Sequence, residues 1–170
     1  SDIYASLIEM AKKSNPKLQV VVDADGDALK FASEARPFLI KPNLHELSRL
    51  VGRSLDASTP EPELITIMQR LRRNGPEAVL LSLGAPGALY VSARGVFRAQ
   101  AKRHKVRSTV GAGDSLLAGF VTGLARHQSE MDALRLGIAC ATATVMQAGT
   151  HLAQVADIQK CLKYVIVRKV

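Results

Sequence analysis

Aromatic side chains are scarce in this chain, which has no Trp, three Tyr and four Phe among its 170 residues. Proteins that grip single-stranded nucleic acid stack bases on aromatic rings, so this scarcity argues against such a platform. The formal net charge of +8 still favours anionic partners, and much of it lies in residues 102–107, where no aromatic residue is interleaved. We expect that basic run to be a solvated strand or loop, or to attract nucleotide or sugar phosphates, and we expect no nucleic-acid partner.

Long apolar runs are also missing, and none reaches the roughly 18 residues needed to span a membrane. Cysteine is rare, and Cys140 and Cys161 lie in predicted helices without metal-ligand spacing. That usage is typical of reduced packing residues, so we expect a cytoplasmic protein without a membrane segment. Three histidines, His45, His104 and His127, have neither zinc spacing nor a nucleophile partner, and we expect them on the surface.

Short apolar runs alternate with amphipathic stretches, which predicts an α/β fold with a mostly parallel sheet and helices on both faces. The β-branched run at Val20, Val21 and Val22 is typical of a central parallel strand. We predict strands over residues 17–23, 38–40 and 78–81, a hairpin of residues 88–91 and 96–98, and helices over residues 27–35, 43–51, 114–127, 130–147 and 155–166.

Two common phosphate-binding signatures are absent: there is no Gly-x-x-x-x-Gly-Lys-Ser/Thr, and no Gly-x-Gly-x-x-Gly opens a helix. A different glycine motif is present at residues 108–115, which read Ser-Thr-Val-Gly-Ala-Gly-Asp-Ser and precede an apolar-small run. This order predicts a glycine turn that opens a helix, with Asp114 in the first turn. The free amides of a helix start form an anion site, and a nearby carboxylate can take a proton from an attacking alcohol. The motif therefore suggests phosphoryl transfer, while the alternative is an ordinary turn and a helix-start acid.

Four segments together resemble the ribokinase-like (phosphofructokinase B) sugar kinases. They are residues 21–29, the Lys-Pro-Asn-x-x-Glu element in residues 39–47, the Ser-Leu-Gly-x-x-Gly-Ala loop in residues 81–89, and residues 108–115. Most members carry Asp where this chain has Ser108, and Ser-Thr at this point is similar to the branch that acts on phosphorylated sugars. The resemblance covers essentially all of residues 1–170 and implies a three-layer ribokinase-like fold.

The resemblance implies roles for the glycine motif and for one lysine. Asp114 would be the catalytic base, and the amides of Gly111, Ala112 and Gly113 would receive the transferring phosphoryl group. Lys41 would contact ATP phosphates as a positive charge.

It also implies a metal and nucleotide site. Asn43 and Glu46 match an element near Mg²⁺, with Glu46 acting through metal-bound water, although the same pair predicts plain helix capping. Ser82, Gly84 and Gly87 would lie along the nucleotide, unless they form only a strand–loop–strand turn.

Further positions also match the family. Thr109 aligns with a phosphate-side position, and Thr142 and Gly149 align with positions near the adenine. Several related kinases bind a monovalent cation such as K⁺ beside the glycine motif. Gln147 and His151 depart from the residues expected for that cation. The matching positions here are Ser108, Val110, Thr144, Gln147, Gly149 and His151.

The resemblance is to the second half of such kinases, whose first half supplies the lid and most sugar contacts. We therefore expect residues 1–170 to be the C-terminal nucleotide-binding and catalytic part of a sugar-kinase domain, with little or no turnover alone. The intact protein would transfer a phosphoryl group from ATP, with Mg²⁺, to a phosphorylated ketose. The candidate acceptors are, in order, fructose 6-phosphate, fructose 1-phosphate and tagatose 6-phosphate. We expect it to be a homodimer. The alternative is a non-catalytic nucleotide-binding or regulatory module that keeps the kinase fold.

Overall fold

The computed structural model describes residues 2–102 and 105–170. The described residues form an α/β fold with six strands in the sheet order β1-β2-β3-β4-β5-β6. The chain divides into a first compact unit, up to Leu83 plus Leu89–Val96, and a second, Gly84–Ala88 plus Phe97–Val170. The elements are α1 (Ile3–Ser14), β1 (Val21–Val22), α2 (Gly26–Glu34), β2 (Leu39–Ile40), α3 (Leu44–Val51), α4 (Glu61–Asn74), β3 (Ala78–Ser82), β4 (Ala88–Ser92), β5 (Gly95–Ala101), α5 (Ala112–Ala125), α6 (Glu130–Val145), α7 (Val155–Leu162) and β6 (Val165–Lys169).

The first unit is built on parallel strands, as the sequence predicts. Val21 of β1 pairs with Leu39 of β2, which in turn pairs with Ala78 of β3. Both residues of β2 and the first four of β3 are buried. Successive residues of a strand point to opposite faces, so both faces of these strands are covered.

The first strand is shorter than predicted, because only Val21 and Val22 of residues 17–23 pair as strand. The chain is still turning out of α1 just before it. The amide of Lys17 donates to the Asn15 side chain at 3.0 Å, and the amide of Leu18 donates to the Asn15 carbonyl at 2.9 Å. These local bonds hold the segment as a turn, which a β-branched run alone does not reveal.

The second unit ends in a strand that the sequence analysis missed, and the helix predicted over residues 155–166 extends only over Val155–Leu162. Helix α7 stops at Leu162, and the amide of Tyr164 bonds to the Cys161 carbonyl at 2.9 Å. Val165–Lys169 then pairs antiparallel with β5, which makes the sheet mixed. Val165 and Val167 are buried and Ile166 is exposed, the alternation of a half-covered strand. The β-branched run Val-Ile-Val was the available signal.

The predicted hairpin is confirmed, because β4 and β5 are sheet neighbours joined by Ala93 and Arg94. Both cysteines are free, and burial raises the pKa of the Cys140 and Cys161 thiols, which favours the unreactive thiol form. The predictions for Arg103, in the basic run, and for His104 lie outside the described residues. Within the described part of the chain, no helix combines the length and apolarity needed to cross a membrane.

Helices α5 and α6 approach closely because glycines lie where they meet. A Cβ atom on Gly137 of α6 would lie 2.7 Å from the Leu116 carbonyl oxygen of α5. A Cβ atom on Gly123 of α5 would lie 2.6 Å from the Ala133 Cα of α6. Helix α6 begins at Glu130, as predicted, and Ser129 caps it, since its hydroxyl oxygen accepts a hydrogen bond from the Asp132 amide at 3.1 Å.

Candidate active site

The glycine turn, residues 108–115, opens helix α5 in the second unit. Gly111 precedes the helix with φ +74°, a left-handed conformation that glycine adopts without steric cost. Among the described residues, no side chain caps the start of α5. The amides of Gly113 and Asp114 have no partner within the helix, whereas the Ala112 amide already donates to the Thr109 carbonyl at 3.3 Å. The partial positive charge of the helix start suits an anion. Asp114 lies in that first turn with an exposed side chain, so the predicted base and these amides lie at the same helix end.

The C-terminal end of α6 holds the glycine turn in place. The Thr144 hydroxyl donates to the Ser115 hydroxyl oxygen at 2.8 Å. The Val145 carbonyl accepts from the Arg107 amide at 2.8 Å and from the Ser108 amide at 3.3 Å. Thr144 is buried, and its methyl group lies 4.0 Å from where a Cβ of Gly111 would be. Thr144 was expected only as a position of the cation site, and nothing in the sequence indicates its contact with Ser115.

Other predicted residues of the second unit make local bonds of their own. The Thr142 hydroxyl donates to the Ile138 carbonyl at 2.7 Å, one helical turn earlier. The Gln147 side chain donates to the Asp157 carboxylate at 3.3 Å. Gly149 is exposed with φ +60°. The predicted places of Thr142 and Gly149 near an adenine stay predictions.

The side chain of His151 is also engaged within the chain, because its Nδ1 lies 2.7 Å from the Ala148 carbonyl. Thr109 and Val110, the remaining predicted contacts of the glycine turn, are exposed. The Thr109 carbonyl accepts a hydrogen bond from the Ala112 amide at 3.3 Å, which tightens the turn at the start of α5.

The glycine loop, residues 84–87, has the geometry of a tight turn. The Gly87 amide donates to the Gly84 carbonyl at 2.9 Å. Both glycines have positive φ, +67° at Gly84 and +101° at Gly87. A Cβ atom on Gly87 would lie 2.2 Å from the Ala99 carbonyl oxygen, so only glycine fits there. Gly84, in contrast, has no heavy atom within 4 Å of its Cβ position and is exposed.

Lys41 follows β2 in the first unit and is paired with an aspartate that sequence analysis did not assign. Its Nζ lies 3.1 Å from the Asp23 carboxylate, and the lysine side chain is only 6% exposed. A buried ammonium needs such a partner, because leaving it unpaired costs several kcal/mol. Asp23 follows β1 and Lys41 follows the neighbouring parallel strand, so the two meet at the carboxyl ends of the strands.

Asn43 and Glu46 form the capping box that their spacing predicts. The backbone amide of Asn43 donates to Glu46 Oε2 at 2.8 Å, and its side-chain Nδ2 donates to Glu46 Oε1 at 2.7 Å. In return, the backbone amide of Glu46 donates to Asn43 Oδ1 at 2.9 Å. Each carboxylate oxygen of Glu46 accepts one bond and has a lone pair left for a metal-bound water. The side-chain carbonyl oxygen of Asn43 already accepts the hydrogen bond from the Glu46 amide that caps α3. The donor set therefore fits a hydrated Mg²⁺ better at Glu46 than at Asn43.

Ser82 lies beside this element at the end of β3. Its amide donates to the Pro42 carbonyl at 3.0 Å, and its hydroxyl to the same oxygen at 3.5 Å. An isolated parallel bridge pairs Asn43 with Ser82. The first unit thus brings Lys41, Asn43, Glu46 and Ser82 together at the ends of two adjacent strands. In the described residues, no three His, Cys, Asp or Glu side chains cluster to hold a metal, whereas Mg²⁺ needs only one or two carboxylates beside substrate phosphates.

Solved kinase structures share the fold of this chain. Phosphofructokinase-2 of Escherichia coli, solved in complex with potassium, superposes with a TM-score of 0.87 at 33% identity, over 95% of this chain and 52% of that one. Ribokinase of Arabidopsis thaliana, complexed with ribose and ATP, shares the fold with a TM-score of 0.77 at 20% identity, over 96% of this chain and 53% of that one.

Residues 1–156 match the family described as pfkB family carbohydrate kinase, and the chain belongs to that family. The 1-phosphofructokinase of Bacillus subtilis is 36% identical over 143 residues, which are 84% of this chain and 46% of the relative. The 1-phosphofructokinase of Escherichia coli K12 is 40% identical over 134 residues, 78% of this chain and 42% of the relative. The chain spans about half the length of the curated relatives it matches.

Proposed function

We propose that this chain is the nucleotide-binding and catalytic part of a kinase that transfers a phosphoryl group from ATP to a hydroxyl of a phosphorylated ketose. The observation that carries the proposal is the start of α5, where an exposed Asp114 lies in the first turn of a helix without a side-chain cap. The relatives named 1-phosphofructokinase and phosphofructokinase-2 support fructose 1-phosphate and fructose 6-phosphate as acceptors.

The residues divide the chemistry among themselves. The amides of Gly111, Ala112 and Gly113 would stabilise charge on the transferring phosphoryl group, as oriented donors do in a site that excludes water. Asp114 would accept the proton of the attacking sugar hydroxyl. Lys41, held by Asp23, would add a fixed positive charge for the phosphates of ATP.

Mg²⁺ when bound would neutralise phosphate charge, and Glu46 is the residue that would hold one of its water molecules. Potassium is the second cation of the proposal, supported by the phosphofructokinase-2 structure in complex with that ion. The side chains of Gln147 and His151 are already hydrogen-bonded within the chain, so backbone carbonyl groups would supply most of its ligands. We propose that the intact enzyme is a homodimer.

The test is Asp114→Asn in the intact kinase, which supplies the sugar contacts that we place outside these 170 residues. Turnover should fall by about 10²- to 10⁴-fold, the usual contribution of a positioned base, with ATP affinity preserved. Folding should suffer little, because an exposed acid at a helix start contributes about 0.3–1 kcal/mol.

Asp132→Asn is the matched control, since it removes the same charge from the first turn of α6. It should leave turnover unchanged. Normal turnover in Asp114→Asn would refute the assignment of the base. A wild-type protein that binds ATP but transfers no phosphoryl group to any of the three sugar phosphates would instead identify a non-catalytic nucleotide-binding module.

A further inference from the structure

Arg98 lies on β5 with its side chain buried, at 8% exposure. Its guanidinium reaches the backbone of the glycine loop. Nη2 donates to the Pro86 carbonyl at 2.6 Å, and Nη1 donates to the Ala88 carbonyl at 3.2 Å and to the Ala99 carbonyl at 2.5 Å. Two of the three acceptors flank Gly87 in sequence. The third is the carbonyl that lies against Gly87, 2.2 Å from where a Cβ would be.

These contacts fix a segment that has few other means of holding its shape. Gly84, Ala85 and Pro86 are exposed, and the loop's two glycines have no side chains with which to pack. Hydrogen bonds from a charged donor are roughly twice as strong as those from a neutral donor. A guanidinium is planar and rigid, so it can hold several carbonyl groups at once in a fixed geometry, which an ammonium on a flexible stem does poorly.

We propose that Arg98 is a positioning residue for the nucleotide. It clamps the carbonyls around Gly87 and thereby holds the glycine loop in the conformation that receives ATP. This inference rests on the proposed kinase function and on the predicted contact of the glycine loop with the nucleotide. Arg98 would act through the loop, whose preordered conformation lowers the entropy cost of binding.

The role predicts a specific kinetic signature in the intact kinase. Arg98→Met should raise the KM for ATP by about tenfold, which corresponds to about 1.4 kcal/mol. The sugar-phosphate KM and kcat should change by less than about twofold, because the loop would touch neither the acceptor nor Asp114. Arg98→Lys should keep the charge and still raise the KM for ATP, since lysine cannot bridge the carbonyls.

Arg94→Met is the matched control, because Arg94 is an exposed arginine between β4 and β5. It should leave all three constants unchanged. Hydrogen exchange at the amides of Ala85 and Gly87 gives a second measurement, and it should speed up in Arg98→Lys but not in Arg94→Met. If Arg98→Met does not fold, Arg98→Lys decides the question by the same two measurements.

An unchanged KM for ATP in a folded Arg98 variant would overturn the positioning role, as would equal losses in kcat and in both KM values. That result leaves the kinase proposal intact, because it requires a wild-type enzyme that turns over. A wild-type protein without ATP-dependent turnover or ATP binding would instead overturn the proposed function, and the role of Arg98 with it.

Discussion

Gly137 lies where α6 contacts α5. Replacing it with alanine has two opposing effects on stability: a gain in helix propensity and a steric clash. The new Cβ would lie 2.7 Å from the Leu116 carbonyl oxygen, 3.1 Å from Leu116 Cδ1 and 3.2 Å from the Phe120 amide nitrogen. Two of those three atoms belong to the backbone of α5. The leucine methyl group can rotate away, but the carbonyl oxygen can move only if the two helices separate.

The sizes of these two effects determine whether Gly137→Ala raises or lowers the free energy of unfolding. Alanine in a helix interior gains about 1 kcal/mol over glycine. Overpacking a tight interior costs about 1–3 kcal/mol, and the upper part of that range applies because the nearest atom is a backbone oxygen. We therefore expect Gly137→Ala to lower the free energy of unfolding by about 1–2 kcal/mol. Since α5 also carries the glycine turn and Asp114, separating the helices should reduce turnover as well.

Urea denaturation followed by circular dichroism measures the change. Thr122→Ala is the control, because Thr122 is an exposed residue of α5 that gains helix propensity without a steric clash. It should leave stability unchanged or raise it by about 0.5 kcal/mol. A Gly137→Ala protein as stable as wild type, or more stable, would show that α5 and α6 do not approach as closely as the backbone distances require.

Three further substitutions separate structural from functional roles. Glu46→Gln should cost about 1 kcal/mol or less, since glutamine also serves in a capping box, yet should raise the Mg²⁺ concentration needed for half-maximal turnover. If the Mg²⁺ concentration needed for half-maximal turnover does not change, Glu46 has only the structural role of capping α3. Gly87→Ala should lower the Tm and weaken ATP binding, because its Cβ would meet the Ala99 carbonyl, whereas Gly84→Ala has open space and should cost only about 1–2 kcal/mol of left-handed strain. Equal thermal shifts for the two variants would contradict the loop geometry.

Features set within a few residues were predictable from the sequence. The capping box of Asn43 and Glu46, the cap of Ser129 on α6 and the glycine turn before Asp114 all depend on bonds or conformations inside one helical turn. Local spacing determines such contacts, so the sequence alone contains the information. The parallel strands of the first unit could be predicted as well, because strands buried on both faces consist of continuous apolar runs.

Contacts between distant residues were not predictable. Nothing near Lys41 in sequence indicates that Asp23 holds it, and nothing near Ser115 indicates Thr144, 29 residues away. Strand β6 was missed for a related reason. Its β-branched residues follow directly on a helical pattern, and their strand character depends on pairing with β5.

The missed contacts share a physical origin. The glycine motifs are the parts of the chain easiest to recognise, but their glycine residues have no side chains that could fix the backbone conformation. Contacts from other parts of the chain hold these segments. Arg98 holds the carbonyls of the glycine loop, and the end of α6, through Thr144 and the Val145 carbonyl, holds the glycine turn. The motif therefore identifies the segment that would face the ligand, while the residues that give it a binding geometry lie elsewhere in sequence. Substitutions at Arg98 or Thr144 are thus expected to alter phosphate and nucleotide binding while every recognisable motif stays intact.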